Sequence, residues 1–477
     1  MRHRVLCVVG LLVLSGCMVG PDYHRPRLAL PASYHAAAGW LPAQPEDGVP
    51  KGDWWRGFND PVLDRLEPMV VENNATVAAD YYAYAESQAV VQEVRGGLFP
   101  SVGLSGSATR SASAHGLGPT DAGTLEGSVA WTPDIWGKLR RQIQSNVAAA
   151  QVSAAELANA TLSAQGALAA DYVDMRAADA AMTLYRATVA ADEHSLRIAS
   201  NQVNAGIAAP SGELTARVQI ENAQAALINA GVARAQYQHA IAVLIGRMPG
   251  TLEVAPGALM PEVPLAPVGV PSTLLERRPD IAAAERAMDE ANAQVGVAVG
   301  AYYPSLSLQA LGGYSADPIL GLFSLSSSLW SLGADVSATV FAGGARHSAV
   351  RAAEFAYDQS EENYRQTVLS AFQDVENDLS NLRILAQQAG VEAQAVADSR
   401  AALRITLNEY RAGTVDYTSV VSAQLTLLGD QQARLAVQQD RLLAAVALFQ
   451  DLGGGFSEAD LPSADELQAR LPFAPGG

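Results

Sequence analysis

The sequence predicts a mixed α+β membrane chain: two copies of one plan supply four β-strands and two very long helices to a barrel that several chains close together. Three observations lead there. They are proline-free intervals too long for ordinary globular helices, short segments of alternating character, and three landmarks that recur at one spacing.

The chain opens with Arg2 and Arg4, an apolar run from Val5 to Leu14, and then Ser15-Gly16-Cys17. A basic start, a short apolar core and small residues before a cut make a secretory signal. About ten apolar residues are too few to span a bilayer. Leu14-Ser15-Gly16-Cys17 resembles the bacterial lipoprotein box, which implies cleavage before Cys17 and acylation of its thiol and new amine. Several acyl chains, at about 0.8 kcal/mol per buried CH₂, anchor far more firmly than one myristoyl. Met18 stands where an Asp would resemble an inner-membrane retention signal, which favours the outer membrane. Cys7 and Cys17 are the only cysteines, so no disulfide framework, CxxC pair or zinc-finger spacing exists.

Prolines partition the rest. None lies between Pro68 and Pro100, Pro133 and Pro210, Pro210 and Pro249, Pro279 and Pro304, or Pro318 and Pro462. An interior proline costs a helix about 3 kcal/mol, so these gaps are where long helices fit. Lys138 to Asn204 would make one helix of roughly 100 Å at about 1.5 Å per residue. One face reads Ile143, Val147, Ala150, Ala154, Leu157, Thr161, Ala164, Leu168; near the C-terminus another reads Val421, Leu425, Leu428, Gln432, Leu435, Gln439, Leu442, Val446, Phe449. Steps of four and three sustained this long predict coiled-coil packing, although an ordinary bundle core fits the same pattern.

Self-similarity shows why there are two such helices. Leu98-Phe99-Pro100-Ser101 recurs as Tyr302-Tyr303-Pro304-Ser305, Trp136-Gly137-Lys138-Leu139-Arg140 as Ala342-Gly343-Gly344-Ala345-Arg346, and Arg197-Ile198 through Gly206 as Arg404-Ile405 through Gly413. The spacings are 204, 206 and 207 residues, one internal duplication of about 205. Each half reads helix, strand, strand, very long helix, helix. Strands are expected at about 98–108, 122–136, 302–315 and 329–341. The long helices are expected at about 138–204 and 345–411, with shorter ones at about 213–246, 280–300 and 417–452.

The strands alternate: Val102 and Leu104 oppose Gly103 and Ser105, Val129 and Trp131 oppose Ser128 and Ala130, and Leu332, Ala334 and Val336 oppose Gly333 and Asp335. One apolar and one polar face over about ten residues suits a lipid-exposed strand with a wet lumen; a soluble hairpin with one buried face has the same period. In hydrocarbon an open sheet edge leaves backbone groups unpaired, so only closed barrels span. Known barrels begin at about eight strands, hence four strands require oligomerisation. Eight strands are filled by their own side chains, so a pore prefers three or more copies.

Composition removes other classes. Of 477 residues, 49% are hydrophobic and 17% charged, with net charge −18, too apolar for a disordered acidic chain. Removing residues 1–16 takes Arg2 and Arg4 and leaves −20. No basic stripe exists for nucleic acid; the longest cationic runs are Arg140-Arg141 and Arg277-Arg278. The seven histidines show no H-x-x-x-H spacing, and neither a GxxxxGK[ST] loop nor a GxSxG elbow occurs. No metal, cofactor or enzymatic activity is therefore expected.

The motifs together resemble the outer membrane factors of tripartite efflux pumps, TolC/OprM-like and specifically their lipidated branch. They are Cys17-Met18-Val19-Gly20-Pro21-Asp22-Tyr23, Trp54-Trp55-Arg56-Gly57-Phe58-Asn59-Asp60-Pro61, Arg277-Arg278-Pro279-Asp280-Ile281, Tyr302-Tyr303-Pro304-Ser305, and Tyr410-Arg411-Ala412-Gly413-Thr414-Val415-Asp416-Tyr417. The resemblance covers nearly the whole mature chain. It implies a homotrimer with a twelve-stranded outer-membrane barrel, four strands per chain, continued by a long periplasmic α-helical barrel. An equatorial belt would come from linker and terminal segments. The organisation becomes signal segment 1–16, lipidated N-terminal segment 17–58, first repeat 59–271, second repeat 272–453 and equatorial tail 454–477. Implied partners are a periplasmic adaptor, an inner-membrane transporter and outer-membrane lipid, with no nucleic acid. The implied function is passive export of small toxic compounds; a duct for protein secretion and a pore-less coiled-coil lipoprotein are the competing readings.

Within that frame Pro279 suits a helix start and Asp280 its first turn, with Arg278 preceding them. Gly206 and Gly413 read as C-terminal caps of the long helices and therefore as the distal tips. By resemblance the tips, with Arg411 and Thr414, face the adaptor, and Asp416 matches an acidic ring that narrows the aperture. Three converging carboxylates would raise one another's pKa and favour cations. Asp416 equally suits the N-cap of the last helix. The first-half turn carries Pro210 and no Asp, which sets the two tips apart.

Overall fold

The structure is a computed structural model and describes residues 18–26, 34–35, 53–112, 119–264 and 277–469. The expected signal segment, Cys17 and the last residues of the tail lie outside them.

Two helices, not one, precede the first strand. α1 (Pro61–Asn73) begins under Asp60, whose carboxylate accepts from the backbone N–H groups of Val62 and Leu63. α2 (Ala75–Gly96) begins under Asn74, which accepts from Thr76 and Val77. Then come β1 (Ser101–Ser111), β2 (Thr120–Trp131), the 67-residue α3 (Lys138–Asn204) and α4 (Pro210–Leu244). The second half supplies α5 (Pro279–Gly300), β3 (Ser305–Ala316), β4 (Ser328–Ser337), the 67-residue α6 (Ala345–Arg411) and α7 (Tyr417–Asp451). The tail adds α8 (Ala464–Gln468).

Strand ends differ from expectation by a few residues, for local reasons. Leu98 and Phe99 donate their N–H groups back to Arg95 and Gly96, so β1 starts only after Pro100. Tyr302 and Tyr303 do the same before β3. β2 stops at Trp131, ahead of Pro133, which has no N–H for a ladder. β4 stops at Ser337 and leaves Val340 and Phe341 exposed.

The strands form one antiparallel sheet in the order β1-β2-β3-β4. Its register pairs Val102 with Val129, Val129 with Ala310, and Ala310 with Leu332. Directly paired residues share a face, so one face carries Leu104, Val129, Leu308, Leu332 and Val336, while Ser105, Ser128, Gln309 and Asp335 occupy the other. Aromatic residues mark both ends: Phe99, Trp131, Tyr302 and Tyr303 at the helical end, and Tyr314, Phe323 and Trp330 at the far end. The outer edges of β1 and β4 carry no strand partner within the described chain.

Each long helix packs along the next helix to make a hairpin, α3 with α4 and α6 with α7. α3 also packs on α2, α5 and α7. The main core lies where these elements meet the belt, around Leu63, Leu168, Tyr172, Ile241, Leu379 and Leu442. There the Trp54 ring stacks on Phe449 at 5.7 Å. Leu425, expected on the packed face of α7, is largely exposed.

Candidate functional site: a channel, its tip and its belt

At the tip both turns are built alike. Gly206 has φ 73° and Gly413 φ 76°, a conformation that favours glycine. Gly206 N–H donates to Val203 O and Ile207 N–H to Gln202 O; Gly413 N–H donates to Tyr410 O and Thr414 N–H to Glu409 O. These paired bonds satisfy the last carbonyls of each long helix. Thr414 Oγ1 adds a bond to Glu409 O at 2.9 Å.

Asp416 caps α7: its Oδ1 accepts from Ser419 N–H at 3.1 Å and from Ser419 Oγ at 2.8 Å. Hydrogen bonds from the Thr418 and Ser419 side chains and the Ser419 backbone hold this exposed carboxyl below the usual aspartate range. In the single chain it is therefore a readily ionised group, opposite in direction to the rise expected of a three-chain ring. Arg411 reaches across to the first half, with Nη2 3.5 Å from His194 Nε2. Behind the turn Tyr410 and Tyr417 pack ring to ring at 5.5 Å over Ala216, Val420 and Val421. Burial, with the nearby Asp192 and Tyr410, pushes the Tyr417 hydroxyl up to about 12.

Along the seam between the two hairpins α7 offers glutamines. Gln424 donates to Ser195 Oγ, Gln432 to Tyr185 Oη, and Gln439 to Asp174 Oδ1, all on α3.

At the belt, Pro279 opens α5 and Asp280 occupies its first turn. The larger role falls to Arg278, whose guanidinium grips both oxygens of Asp280 at 3.0 and 2.8 Å and Asp451 Oδ1 at 3.1 Å. Burial, then the Asp451 carboxylate beside it, pushes Asp378 up to about 8.

The segment after Cys17 is strapped into the junction of sheet and helices. Val19 N–H donates to Trp136 O, and the buried Arg141 donates to the carbonyls of Val19 and Gly20 and to Asp22. Arg25 pairs with Glu458 of the tail at 3.1 Å, and Arg286 of α5 reaches the same carboxylate at 2.6 Å. A further cluster clips the linker after α4: Asp179 holds Arg176 at 3.1 Å, Arg234 at 2.6 Å and the Gly257 N–H at 3.0 Å. Arg141, Arg176, Asp179 and Arg234 were not singled out by sequence reasoning. Their one signal was a charged residue inside a helix face that otherwise reads as apolar or small.

The structure thus brings Arg411, Gly413, Thr414 and Asp416 together with Gly206 at one end of the helices, and sets Arg278, Pro279 and Asp280 at the belt. Among the described residues no group of three His, Cys, Asp or Glu is placed to hold a metal.

A family model described as "Outer membrane efflux protein" matches residues 68–247 and 270–454, one stretch for each repeat. The solvent efflux pump outer membrane protein SrpC of Pseudomonas putida is 28% identical over 472 residues, covering 96% of this chain and 99% of its own. The cation efflux system protein CusC of Escherichia coli is 26% identical over 461 residues, with 94% and 97% covered. Among solved structures the outer-membrane channel OprN superposes with a TM-score of 0.85 at 27% identity, covering 92% of this chain and 99% of that one. The open-state MtrE channel of Neisseria gonorrhoeae gives 0.82 at 24% identity, with 93% and 99% covered, a likeness of fold. With the two matched stretches falling on the two halves of the duplication and spanning most of the chain, this protein belongs to the outer membrane efflux protein family.

Proposed function

We propose that the chain is the outer-membrane duct of a tripartite efflux system, a homotrimer whose twelve strands close one barrel and whose long helices continue it through the periplasm. The observation that carries this is the four-stranded sheet with one apolar face, two aromatic ends and two edges that pair with no strand among the described residues, joined to two 67-residue helices. Unpaired edges in hydrocarbon cost several kcal/mol per group, and pairing β4 of one copy with β1 of the next removes that cost.

The duct is passive: transport energy comes from an inner-membrane transporter reached through a periplasmic adaptor that docks on the tips at Gly206, Arg411, Gly413 and Thr414. Asp416 from three chains rings the aperture. Cys17 carries the lipid anchor. The cargo is small toxic compounds; relatives named for solvent, toluene and cation efflux support a duct that leaves selection to its partners. Deleting the gene should sensitise cells to such compounds, and purified protein should run as a heat-resistant trimer that conducts in planar bilayers. Helical protein without a trimer or conductance would favour a structural lipoprotein.

A further inference from the structure

Where sheet and helices join, a half-open cavity of about 340 Å³ lies between the starts of β3 and α3. That is within the range of small-ligand sites. Trp136 and Tyr303 stack on its wall at 4.9 Å, and Trp136 is fixed by donating Nε1–H to Pro304 O at 2.8 Å. Three charged residues line it: Asp134, Lys138 and Arg346. Asp134 is already satisfied, accepting from the backbone N–H groups of Leu139 and Arg140 and from Arg140 Nε at 3.3 Å. Among the described residues the Arg346 guanidinium makes one hydrogen bond, to Thr339 O at 2.8 Å. The Lys138 ammonium makes no hydrogen bond or ion pair among the described residues. In a chain of net charge −18, this cavity therefore holds cations in excess.

Its depth is fixed by two neighbours. The aromatic collar of Phe99, Trp131 and Tyr302 lies at this end of the strands, as interfacial aromatics do at headgroup level. Met18, next to Cys17, lies against Gly137, where an added Cβ would come within 2.6 Å of Met18 Cγ. The chain thus enters at this same level. A diacylglycerol joined to Cys17 carries no phosphate and cannot satisfy the two cations.

We propose that this cavity binds the phosphate of an anionic glycerophospholipid from the periplasmic leaflet, with Lys138 and Arg346 on the phosphate and Trp136 and Tyr303 against the glycerol. The inference rests on the outer-membrane reading. Full-length trimer in nanodiscs of mixed phosphatidylglycerol and phosphatidylcholine, followed by native mass spectrometry, counts the lipid each variant retains. Wild type should keep phosphatidylglycerol preferentially. Lys138→Gln should weaken retention about fivefold, the effect of one basic residue at a charged membrane surface, and Lys138→Arg should restore it. Lys138 is exposed at the first position of α3, so its replacement should leave the heat-resistant trimer intact; Arg346→Gln serves as an independent second probe. Equal retention of both lipids, unchanged retention in both variants, or displacement of the lipid by inorganic phosphate alone overturns the proposal. Failure of the chain to enter nanodiscs would sink the channel reading and this inference with it, whereas normal insertion with indifferent retention would sink the inference alone.

Discussion

Arg278 Nη1 stands 3.1 Å from Asp451 Oδ1, joining the start of α5 to the end of α7 across 173 residues. The same corner in the first repeat is made by Asn74, which caps α2 and donates its side-chain amide to Leu244 O at 2.9 Å. One plan thus closes once with a neutral clamp and once with a charged one. The charged version gathers Asp280 and Asp451 and stands 3.9 Å from Asp374, so the single guanidinium offsets several carboxylates.

Removing that guanidinium should therefore cost more than a surface pair would. Breaking a largely buried ion pair leaves uncompensated charge, and Arg278→Ala should lower the unfolding free energy by about 3 kcal/mol. Arg278→Lys should recover only part, because an ammonium cannot span both Asp280 oxygens. Denaturant unfolding of the detergent-solubilised protein measures both; a wild-type midpoint in the alanine variant would refute the clamp.

Asp378 makes the same corner sensitive to pH. Its folded value of about 8 lies above the unfolded value of about 4. Between those limits the folded chain holds a proton that the unfolded chain releases, so stability falls as pH rises through the window and levels off above it. Asp378→Asn should flatten the decline. Thermal midpoints of both proteins from pH 4 to 9 should diverge most at the alkaline end, with the variant higher.

The parts of this fold that were legible in sequence are those governed by local rules. Proline exclusion and glycine caps mark long helices because each acts within one turn, and the ends of α3 and α6 fall at Asn204 and Arg411, just before Gly206 and Gly413. Alternation gave the apolar sheet face for a similar reason. Arg278 was legible as a helix start but not as a clamp, since Asp451 lies far away in sequence. Arg141 was hidden likewise: it is 3% exposed and grips Val19, Gly20 and Asp22, some 120 residues earlier. The break at Asn74 between α1 and α2 was missed because no proline or glycine marks it; a single side chain, Asn74, caps the new helix through Thr76 and Val77.

Glu67 breaks the usual pattern of buried charge. It is fully buried in the belt, neither carboxyl oxygen has a hydrogen-bond partner among the described residues, and burial pushes it up to about 9. It is thus protonated at neutral pH and still leaves polar atoms unsatisfied, at a cost of about 1–3 kcal/mol. Glu67→Met, close in length and apolar, should raise stability at pH 7 by about 1 kcal/mol. Urea unfolding reads this directly, and a clear loss in the methionine variant would mean that the carboxyl serves a purpose its surroundings do not reveal.

Asp416 caps α7, and the proposed gate gives it a second role that Asp416→Asn separates from the first. Its carboxylate oxygen caps α7 through Ser419, and its charge, held by those same hydrogen bonds below the ordinary range, would meet two copies of itself on the axis of a trimer. Asp416→Asn keeps an acceptor suited to the cap and removes the charge, whereas Asp416→Ala removes both. If the ring selects ions, both variants should lose cation preference in planar-bilayer reversal potentials, because selectivity follows charge at the constriction. Only the alanine variant should show faster amide exchange at Ser419, since the cap protects that N–H. Mutual repulsion in the trimer should also raise the pH at which wild-type selectivity fades above the value for an isolated Asp416, and the asparagine variant should show no such titration. Full cation preference in the asparagine variant would leave Asp416 as a helix cap and move the selective ring elsewhere.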